Sequence, residues 1–598
     1  MSQLTNKEIS EILRRVATAL EIKQGNRFRI TAFQKAADNI EKNPVELVAL
    51  WQKDRLREVA GVGESIAKNL DQLFKTGYSK DFDRITKSVP GAVFFLTTIP
   101  GIGPKTAYRL SSELKIKSPD KAIKKLFLAG KNKKIRKIPG FGEKKEQKIL
   151  DDIKAWKQKQ KESQRMTLYE ADQLAGKVIN YLEKLPTVLE AKPLGSLRRR
   201  NDTIGDIDIA IKTKQPQEVI DHFTSFPETK KVLVKGQKGS SRILLTNQKQ
   251  VDLRIVPPGK MGSMMQHFTG SKAHNITLRE LALKKNLSLS EHGIKNLNTK
   301  KAFSFNKEQA FYHFLDLDWI PPEIRENQGE IEAAQNKNLP KLINLKDIKG
   351  DLHVHSNFPI ESSHDSGQDS SRRILSWAIR NHYQYLAFTE HNPSKSKHNE
   401  KEIIALIKRK KKWIEPINYS NTNYKNSRTN KLLFIFNSLE IDINPSGKLA
   451  LPKEAFNYLD FAIAGIHSQF NLSQDAMTKR IIRGLSHPKI KIWAHPTGRM
   501  IGKRPSIEAN WDQIFLFCKN NNKTLEINAS PGRLDLPDFL IRQAINQKIK
   551  LAINTDSHNL SQLELMSYGV YQARRGWAQK GDIINTWPLD KIKKFLLS

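Results

Sequence analysis

One run constrains this chain more than any other: Gly350-Asp351-Leu352-His353-Val354-His355-Ser356, near the middle of 598 residues. Side chains alternate along a strand with period two, so a strand here turns both imidazoles to one face. Downstream stand Phe388-Thr389-Glu390-His391, Ser438-Leu439-Glu440-Ile441-Asp442, Ala464-Gly465-Ile466-His467-Ser468, Trp493-Ala494-His495-Pro496 and Ile553-Asn554-Thr555-Asp556-Ser557-His558. Almost every one of these groups follows a short apolar run of strand character. A parallel α/β barrel presents its active-site groups at its strand ends, which is the fold expected here. A lone histidine is usually structural. Six at strand ends, joined by Glu440 and Asp556, predict a site for several metal ions.

Charge narrows the partner. Lys and Arg outnumber Asp and Glu by 101 to 62, a formal net charge of +39. A polyanion would suit this balance, but so would a merely well-solvated lysine-rich surface. The single Cys518 excludes an intrachain disulfide framework and a thiolate metal cage, as expected of a reducing compartment. The start, Met1 to Glu8, has no apolar signal segment, and no run has the length of a membrane span. These features predict a cytoplasmic protein of several domains, away from membranes.

The texture of the chain changes along its length. Up to about 155 it reads as short amphipathic helices punctuated by glycine pairs. From about 165 to 325 a helix precedes strands and then helical segments. Residues 321–349 look like a polar connector, and beyond 350 strand-like runs alternate with helical ones, which argues for βα units. Asn418 to Lys431 is rich in polar residues and is expected to form a mobile surface loop.

The glycine pairs repeat. Gly61-Val62-Gly63, Gly101-Ile102-Gly103 and Gly140-Phe141-Gly142 each sit between helical segments, ahead of polar residues. Glycine lets a backbone approach a phosphate closely, and the following helix offers free N–H groups and a positive dipole end. One such pair could be an ordinary cap. Three in a basic chain point to helix-hairpin-helix elements that grip a DNA backbone without reading its sequence.

A second constellation lies between 195 and 252. Gly195-Ser196-Leu197-Arg198-Arg199 is followed by Gly205-Asp206-Ile207-Asp208, and later by the strand-like Val251-Asp252-Leu253-Arg254. Alternation puts Asp206 and Asp208 on one face, and Asp252 can add a third carboxylate. Three carboxylates holding two Mg²⁺ ions are what nucleotidyl transfer needs: one ion for the attacking 3′-hydroxyl, one for the triphosphate. Ser196 and Arg199 would offer a hydroxyl and a guanidinium fork to phosphate oxygens.

Here a resemblance becomes specific. Gly-Ser-x-Arg-Arg followed by Asp-Ile-Asp is similar to the nucleotidyltransferase core of family X DNA polymerases. Phe268-Thr269-Gly270-Ser271-Lys272-Ala273-His274-Asn275 resembles that family's nucleotide-pocket motif. The segment from 350 looks like a PHP (polymerase and histidinol phosphatase) domain. The motifs follow the order of the bacterial and archaeal PolX architecture over essentially the whole chain. That resemblance implies a multidomain protein: an α-helical helix-hairpin-helix region at 1–85, a helical DNA-binding subdomain at 86–160, and a palm at 161–258. A nucleotide-pocket and thumb subdomain at 259–325, a linker at 326–349 and a PHP domain at 350–598 would follow. The core is expected to be α+β, and the PHP part a distorted (β/α)7 barrel.

The family also implies roles. Asp206 and Asp208 would bind both polymerase metals, with Asp252 nearest the primer end. Ser196 and Arg199, with Gly195 and Arg165, would hold the triphosphate, and Gly270, Ser271 and Asn275 would line the nucleotide pocket. The PHP part would hold about three Mn²⁺ or Zn²⁺ ions on His353, His355, His391, Glu440, His467, His495, Asp556 and His558. One further ligand is expected soon after His355; Asp365 best preserves the motif, with Glu361 and His364 as alternatives. Metal-assisted attack on a terminal phosphodiester would give 3′→5′ exonuclease or related phosphoesterase activity.

Four departures stand out. The loop after His355 is longer than usual. Glu390 replaces an aspartate before His391, and His267-Phe268 replaces two aromatics at the sugar pocket. Finally, Asn69 occupies the position of a Schiff-base lysine used for deoxyribose-phosphate removal, and an amide forms no imine. Lys68, one residue away, points about 100° around the helix. The expected activity is gap-filling DNA synthesis from dNTPs on gapped or primer-template DNA by a monomeric repair enzyme, with trimming of 3′ ends and weak or no lyase. The alternatives are a phosphoesterase whose polymerase core only clamps DNA, and a non-catalytic scaffold for DNA ends.

Overall fold

The computed structural model describes residues 4, 6–41, 47–52, 54–99, 101–162, 165–236, 239–419 and 433–598. They form two compact units, 1–164 and 165–598.

The first unit is helical. Its helices Asn6–Ile22 and Arg27–Glu41 open a core that includes Leu13, Phe33 and Ile40. The three glycine pairs share one geometry. In each, the middle residue (Val62, Ile102, Phe141) is buried and both glycines are exposed. The N–H of that residue donates to a carbonyl three residues back, at Val59, Ile99 and Ile138. The second glycine then leads into a helix: Glu64–Thr76, Pro104–Glu113 and Glu143–Glu162. The first glycine of each pair has a positive φ (+91°, +87° and +76°), a conformation that L side chains resist. A Cβ on Gly63, Gly103 or Gly142 would meet nothing within 4 Å, so each helix start is open to solvent.

The second unit begins with a strong local signal. Thr167 accepts the Glu170 N–H while Glu170 accepts from the Thr167 N–H, a reciprocal cap on the helix Leu168–Leu182. That helix covers a five-stranded sheet in the order Val188–Pro193, Ile207–Thr213, Gln250–Val256, Ser240–Leu245, Thr229–Lys235. The central pair, Ile207–Thr213 and Gln250–Val256, is parallel, and it sets Asp208 directly opposite Asp252. The helices Met261–Thr269 and Lys272–Lys284 follow, then a small antiparallel sheet.

The polar stretch at 326–349 is folded rather than a loose tether. It carries the helix Glu330–Gln335, and Glu330 is fully buried against His274 at 2.6 Å.

From 350 onward the strands are parallel. Gly350–Val354, Tyr385–Phe388 and Phe434–Asn437 form one sheet. Glu440–Asp442, Ala462–Gly465, Ile490–Trp493, Thr524–Asn528 and Leu551–Asn554 form another. Isolated parallel bridges, His391 to Glu440 and Val354 to Ser557, link the two sheets, the second between their edge strands. Helices alternate with the strands, and buried Ile, Leu and Phe side chains fill the space between, as continuous apolar strands require. Of the loop expected at 418–431, Asn418 and Tyr419 instead end the helix Glu400–Tyr419, and the rest lies outside the described residues. The Asn418 amide exchanges two hydrogen bonds with the backbone of Ile435, which fixes that helix end to a strand.

The first five-stranded sheet and the parallel sheets belong to one unit, held by polar clamps. Arg575 reaches Asn201, Glu326 and Asp538, Arg574 pairs with Glu323, and Arg499 with Asp202. Tyr568 donates to Asp172 and joins the buried core beneath the first sheet. No described helix is long and apolar enough to cross a membrane.

Candidate active sites

The carboxylate pocket is set by backbone register. Asp208 and Asp252 face each other across parallel strands, and Asp206 precedes Asp208 by two residues. Burial, with Asp206 and Asp252 adding to it, pushes the Asp208 carboxyl up to about 6. Asp252 is buried and held by a bidentate fork, Arg242 Nε to Oδ1 at 2.6 Å and Nη2 to Oδ2 at 2.7 Å. Gly195 shows why the motif opens with glycine. Its φ is +56°, and a Cβ there would come within 2.9 Å of Asp208 Oδ2.

The neighbouring cations are already engaged. Arg199 bonds Glu326 at 2.9 Å and the Thr269 carbonyl at 2.5 Å. Arg165 donates to the hydroxyl and carbonyl of Thr203, beside Gly205. Ser196 lies in the single turn Gly195–Arg198. Asn275 donates to the His267 carbonyl at 2.7 Å and accepts from Gln266, near the Gly270–Ser271 turn that precedes its helix. Behind this wall, Glu308 is buried between Arg198 and Arg325. Burial alone would raise its carboxyl, but the two guanidinium groups hold it well below its ordinary range.

The histidine cluster is assembled at the ends of the parallel strands. His353 Nε2 and His355 Nε2 are 3.1 Å apart, and Glu440 Oε2 lies 3.2 and 3.5 Å from them. Asp556 Oδ1 is 3.3 Å from both. Four ligands around a tetrahedral ion at 2.0–2.2 Å stand roughly 3.3–3.6 Å from one another, so this donor set fits a divalent cation. Glu440 also faces His391 Nδ1 at 3.2 Å, His467 Nε2 at 3.1 Å and His495 Nε2 at 2.8 Å. His355, His391 and His558 form a further group. Asp365 reaches it, 3.3 Å from His391 and 3.4 Å from His558, and those two contacts hold its carboxyl far below the usual range.

The electrostatics favour a cationic guest. Burial would strip His353 of charge, yet Glu526, Asp556 and Glu440 together raise its pKa well above the ordinary value. The field that holds a proton there would also draw in a metal ion. Burial keeps His355 neutral, its pKa near 3, and lowers that of His495. Neutral imidazoles are the form that binds metal.

Comparison with known proteins places the chain in a family. Residues 4–79 match the model of a helix-hairpin-helix domain, 94–155 a SAM-like helix-hairpin-helix tandem, and 264–326 the DNA polymerase beta thumb. A Bacillus subtilis (strain 168) protein named DNA polymerase/3'-5' exonuclease PolX is 32% identical over 591 residues, 99% of each chain. The chain belongs to the PolX group of family X DNA polymerases. Rat (Rattus norvegicus) DNA polymerase lambda is 24% identical over 311 residues, 48% of this chain and 49% of its own.

Within this PolX chain, the long loop after His355 sends its three candidates to different places. Asp365 enters the cluster. His364 contacts both oxygens of Asp442 at 3.0 Å and forms with Asp442 and His467 a group that could itself hold an ion, whereas Glu361 pairs with His398 at 3.2 Å. The longer acid Glu390 is matched by a buried lysine. Lys410 Nζ lies 2.5 Å from Glu390 Oε2 and also donates to the carbonyls of Phe388 and Ser438. The other Glu390 oxygen accepts from the Ser356 N–H and hydroxyl, at 3.1 and 2.5 Å. One ammonium thus ties the strand ends that carry His355, His391 and Glu440.

Several partners were not among the residues singled out from sequence. Asp442 accepts from His467 Nδ1 at 2.6 Å and leaves Nε2 to Glu440. Glu526 contacts His353 Nδ1 at 2.7 Å and accepts from the His495 N–H. A carboxylate on the far ring nitrogen fixes the orientation of a metal-binding histidine. Glu440-x-Asp442 on one strand face, and a Glu inside the apolar run Thr524–Asn528, were the available signals. Arg242 had none, because only sheet register sets it opposite Asp252. In the first unit, Asn69 is buried, donating to the Ser65 carbonyl and accepting from Ser79 at 2.6 Å, while Lys68 is exposed.

Proposed function

We propose that the chain is a DNA polymerase that fills short gaps in DNA and carries a metal-dependent 3′→5′ exonuclease in its C-terminal half. One observation carries this reading. A chain related to PolX along its whole length holds two distinct ligand sets, Asp206/Asp208/Asp252 and the histidine cluster around Glu440. We read the two parallel sheets from 350 onward, linked by two isolated bridges, as a distorted seven-stranded PHP barrel in which Phe434–Asn437 and Glu440–Asp442 are one interrupted strand.

Divalent metals serve both places. The oxygen-only set suits Mg²⁺, and the histidine-rich set suits about three Mn²⁺ or Zn²⁺ ions. When bound, they supply Lewis acidity and neutralise phosphate charge. Asp206 and Asp208 hold the polymerase ions, and Asp252 serves the side nearest the primer end. Arg242 shares or releases Asp252 as they bind. Ser196, Arg199 and Arg165 orient the triphosphate, with Arg199 exchanging Glu326 for a phosphate oxygen, and Gly195 keeps the loop close to Asp208. Gly270, Ser271 and Asn275 line the sugar and base pocket. Gly61/Gly63, Gly101/Gly103 and Gly140/Gly142 present free helix N-termini to the DNA backbone.

In the PHP part, His353, His355, Glu440 and Asp556 hold one ion. Glu440, His467 and His391, with His495 beside Glu440, would take a second, and His355, His391, His558 and Asp365 a third. Asn69 is a buried spoke of its helix, so the lyase is absent or weak, and borohydride should trap no adduct on abasic-site DNA. The single buried Cys518 is in keeping with a cytoplasmic enzyme.

The test is a gel assay on a 5′-labelled primer in a short gap, with Mg²⁺ or Mn²⁺, with and without dNTPs. Extension lost only in Asp206→Ala/Asp208→Ala, and shortening lost only in His353→Ala/His355→Ala, is the expected result. Wild-type protein that shortens but never extends would reduce the polymerase fold to a clamp.

A further inference from the structure

Between the two sites lies a surface that neither of them uses. The loop 499–506 follows His495 and precedes the helix Trp511–Asn520. Together with Asp202 and Thr203 it walls a groove of about 520 Å³. A second groove of about 640 Å³ shares Lys503, Arg504 and Pro505 with the first and adds Phe470. The two therefore meet at a pair of cations.

Their ends are placed by sequence. Phe470 lies three residues after His467, and Gly498 three after His495. At the other end, Thr203 is three residues before Asp206. The grooves thus run from the rim of the histidine cluster toward the carboxylate pocket.

The lining is chemically specific. Arg504 stacks over the Phe470 ring at 3.6 Å, and its Nε donates to the Gly498 carbonyl at 2.8 Å, which fixes the guanidinium. Gly498 has φ +59°, and a Cβ there would press on Phe470 at 3.0 Å, so the loop needs glycine to seat the ring. Asp202, the acid on the opposite wall, is neutralised by Arg499 at 3.1 Å. Lys503 is exposed. What remains is a positive strip built on an aromatic ring, a pairing that suits unpaired nucleic acid: phosphates to the Lys503 ammonium, a base to the guanidinium that caps the Phe470 ring. Grooves of this volume suit a few nucleotides.

We propose that these grooves bind the unpaired 3′ end of a DNA strand and guide it between the carboxylate pocket and the histidine cluster. Lys503 holds its phosphates, and a base stacks on the Arg504 guanidinium that Phe470 holds flat. The inference rests on the two-site reading above.

Two variants on the full-length protein test it, Lys503→Glu and Phe470→Ala. Each is assayed for Mn²⁺-dependent shortening of a single-stranded oligonucleotide, hydrolysis of the small diester bis(p-nitrophenyl) phosphate, and extension of a fully paired primer. The expected result is a KM for the oligonucleotide raised about tenfold, with the small diester and paired extension unchanged. In parallel, an oligonucleotide ending in 5-iodo-deoxyuridine is photocrosslinked without divalent metal. The adduct should map to the peptide containing Phe470 or Arg504 and be lost in Lys503→Glu. An unchanged oligonucleotide KM in both variants, or an adduct elsewhere, overturns the proposal. Wild type that hydrolyses neither substrate but still gives that adduct would instead sink the nuclease reading and leave the strand-binding site standing.

Discussion

In the carboxylate pocket, Asp206 is exposed, Asp208 is half-buried and Asp252 is locked by Arg242. In the histidine cluster, His353, His355, His391, His495 and Glu440 are all buried, and their donor atoms already stand at the spacing of a metal's ligands. The first site makes its contacts with arginines that substrate must displace. The second is preassembled by neighbouring strand ends and by carboxylates that hold the far side of its rings. The contrast predicts that the pocket would receive its ions with nucleotide, whereas the cluster would keep its ions between turnovers.

The largest expected effect separates the two sites. Replacing His353 and His355 by alanine should lower 3′-end shortening by about a thousandfold or more, the scale of losing metal-assisted catalysis, with extension within about twofold. Asp252→Asn should do the reverse, with a similar loss of extension in a primer gel. Cross-effects in either variant would break the comparison.

Preassembly itself can be challenged next. Lys410→Met removes the ammonium that ties three ligand-bearing strand ends and leaves Glu390 unpaired, which costs about 3–5 kcal/mol of stability. Mn²⁺ affinity and shortening should fall about 10–100-fold while extension persists. Asp442→Asn should weaken Mn²⁺ binding by about tenfold, because an amide holds the His467 ring less firmly. Metal titration followed by the shortening assay reads both, and wild-type affinity in either would show that the ligands need no such support.

The smallest effect concerns the pocket alone. The Asp208 carboxyl, pushed up to about 6, is ionised and ready for Mg²⁺ above that pH and must lose a proton to bind it below. The Mg²⁺ concentration for half-maximal extension should therefore rise as pH falls from 8 to 5.5, by up to about tenfold per unit below 6. A flat requirement across that range would mean that Asp208 is already ionised throughout.

Much of this was legible in the sequence because the informative residues sit in or just beyond the ends of short regular strands. His353-x-His355 and Asp206-x-Asp208 rely only on strand alternation, and the glycine pairs only on positive φ ahead of a helix. What stayed hidden depends on register and on contacts distant in the chain. Arg242 meets Asp252 across antiparallel strands, Lys410 reaches Glu390 from a neighbouring helix, and Arg575 binds Asn201 across nearly four hundred residues. Polarity also misled at 326–349, where the charge of Glu330 signals a buried partner for His274 rather than a solvated connector.

The central claim, that the histidine cluster holds resident metal and the carboxylate pocket does not, is tested most directly by metal analysis after exhaustive dialysis without chelator. Wild type and Asp206→Asn/Asp208→Asn should both retain stoichiometric Mn or Zn, and His353→Ala/His355→Ala should lose most of it. Wild type stripped of transition metal by dialysis, or metal retained undiminished without those two histidines, would contradict the account.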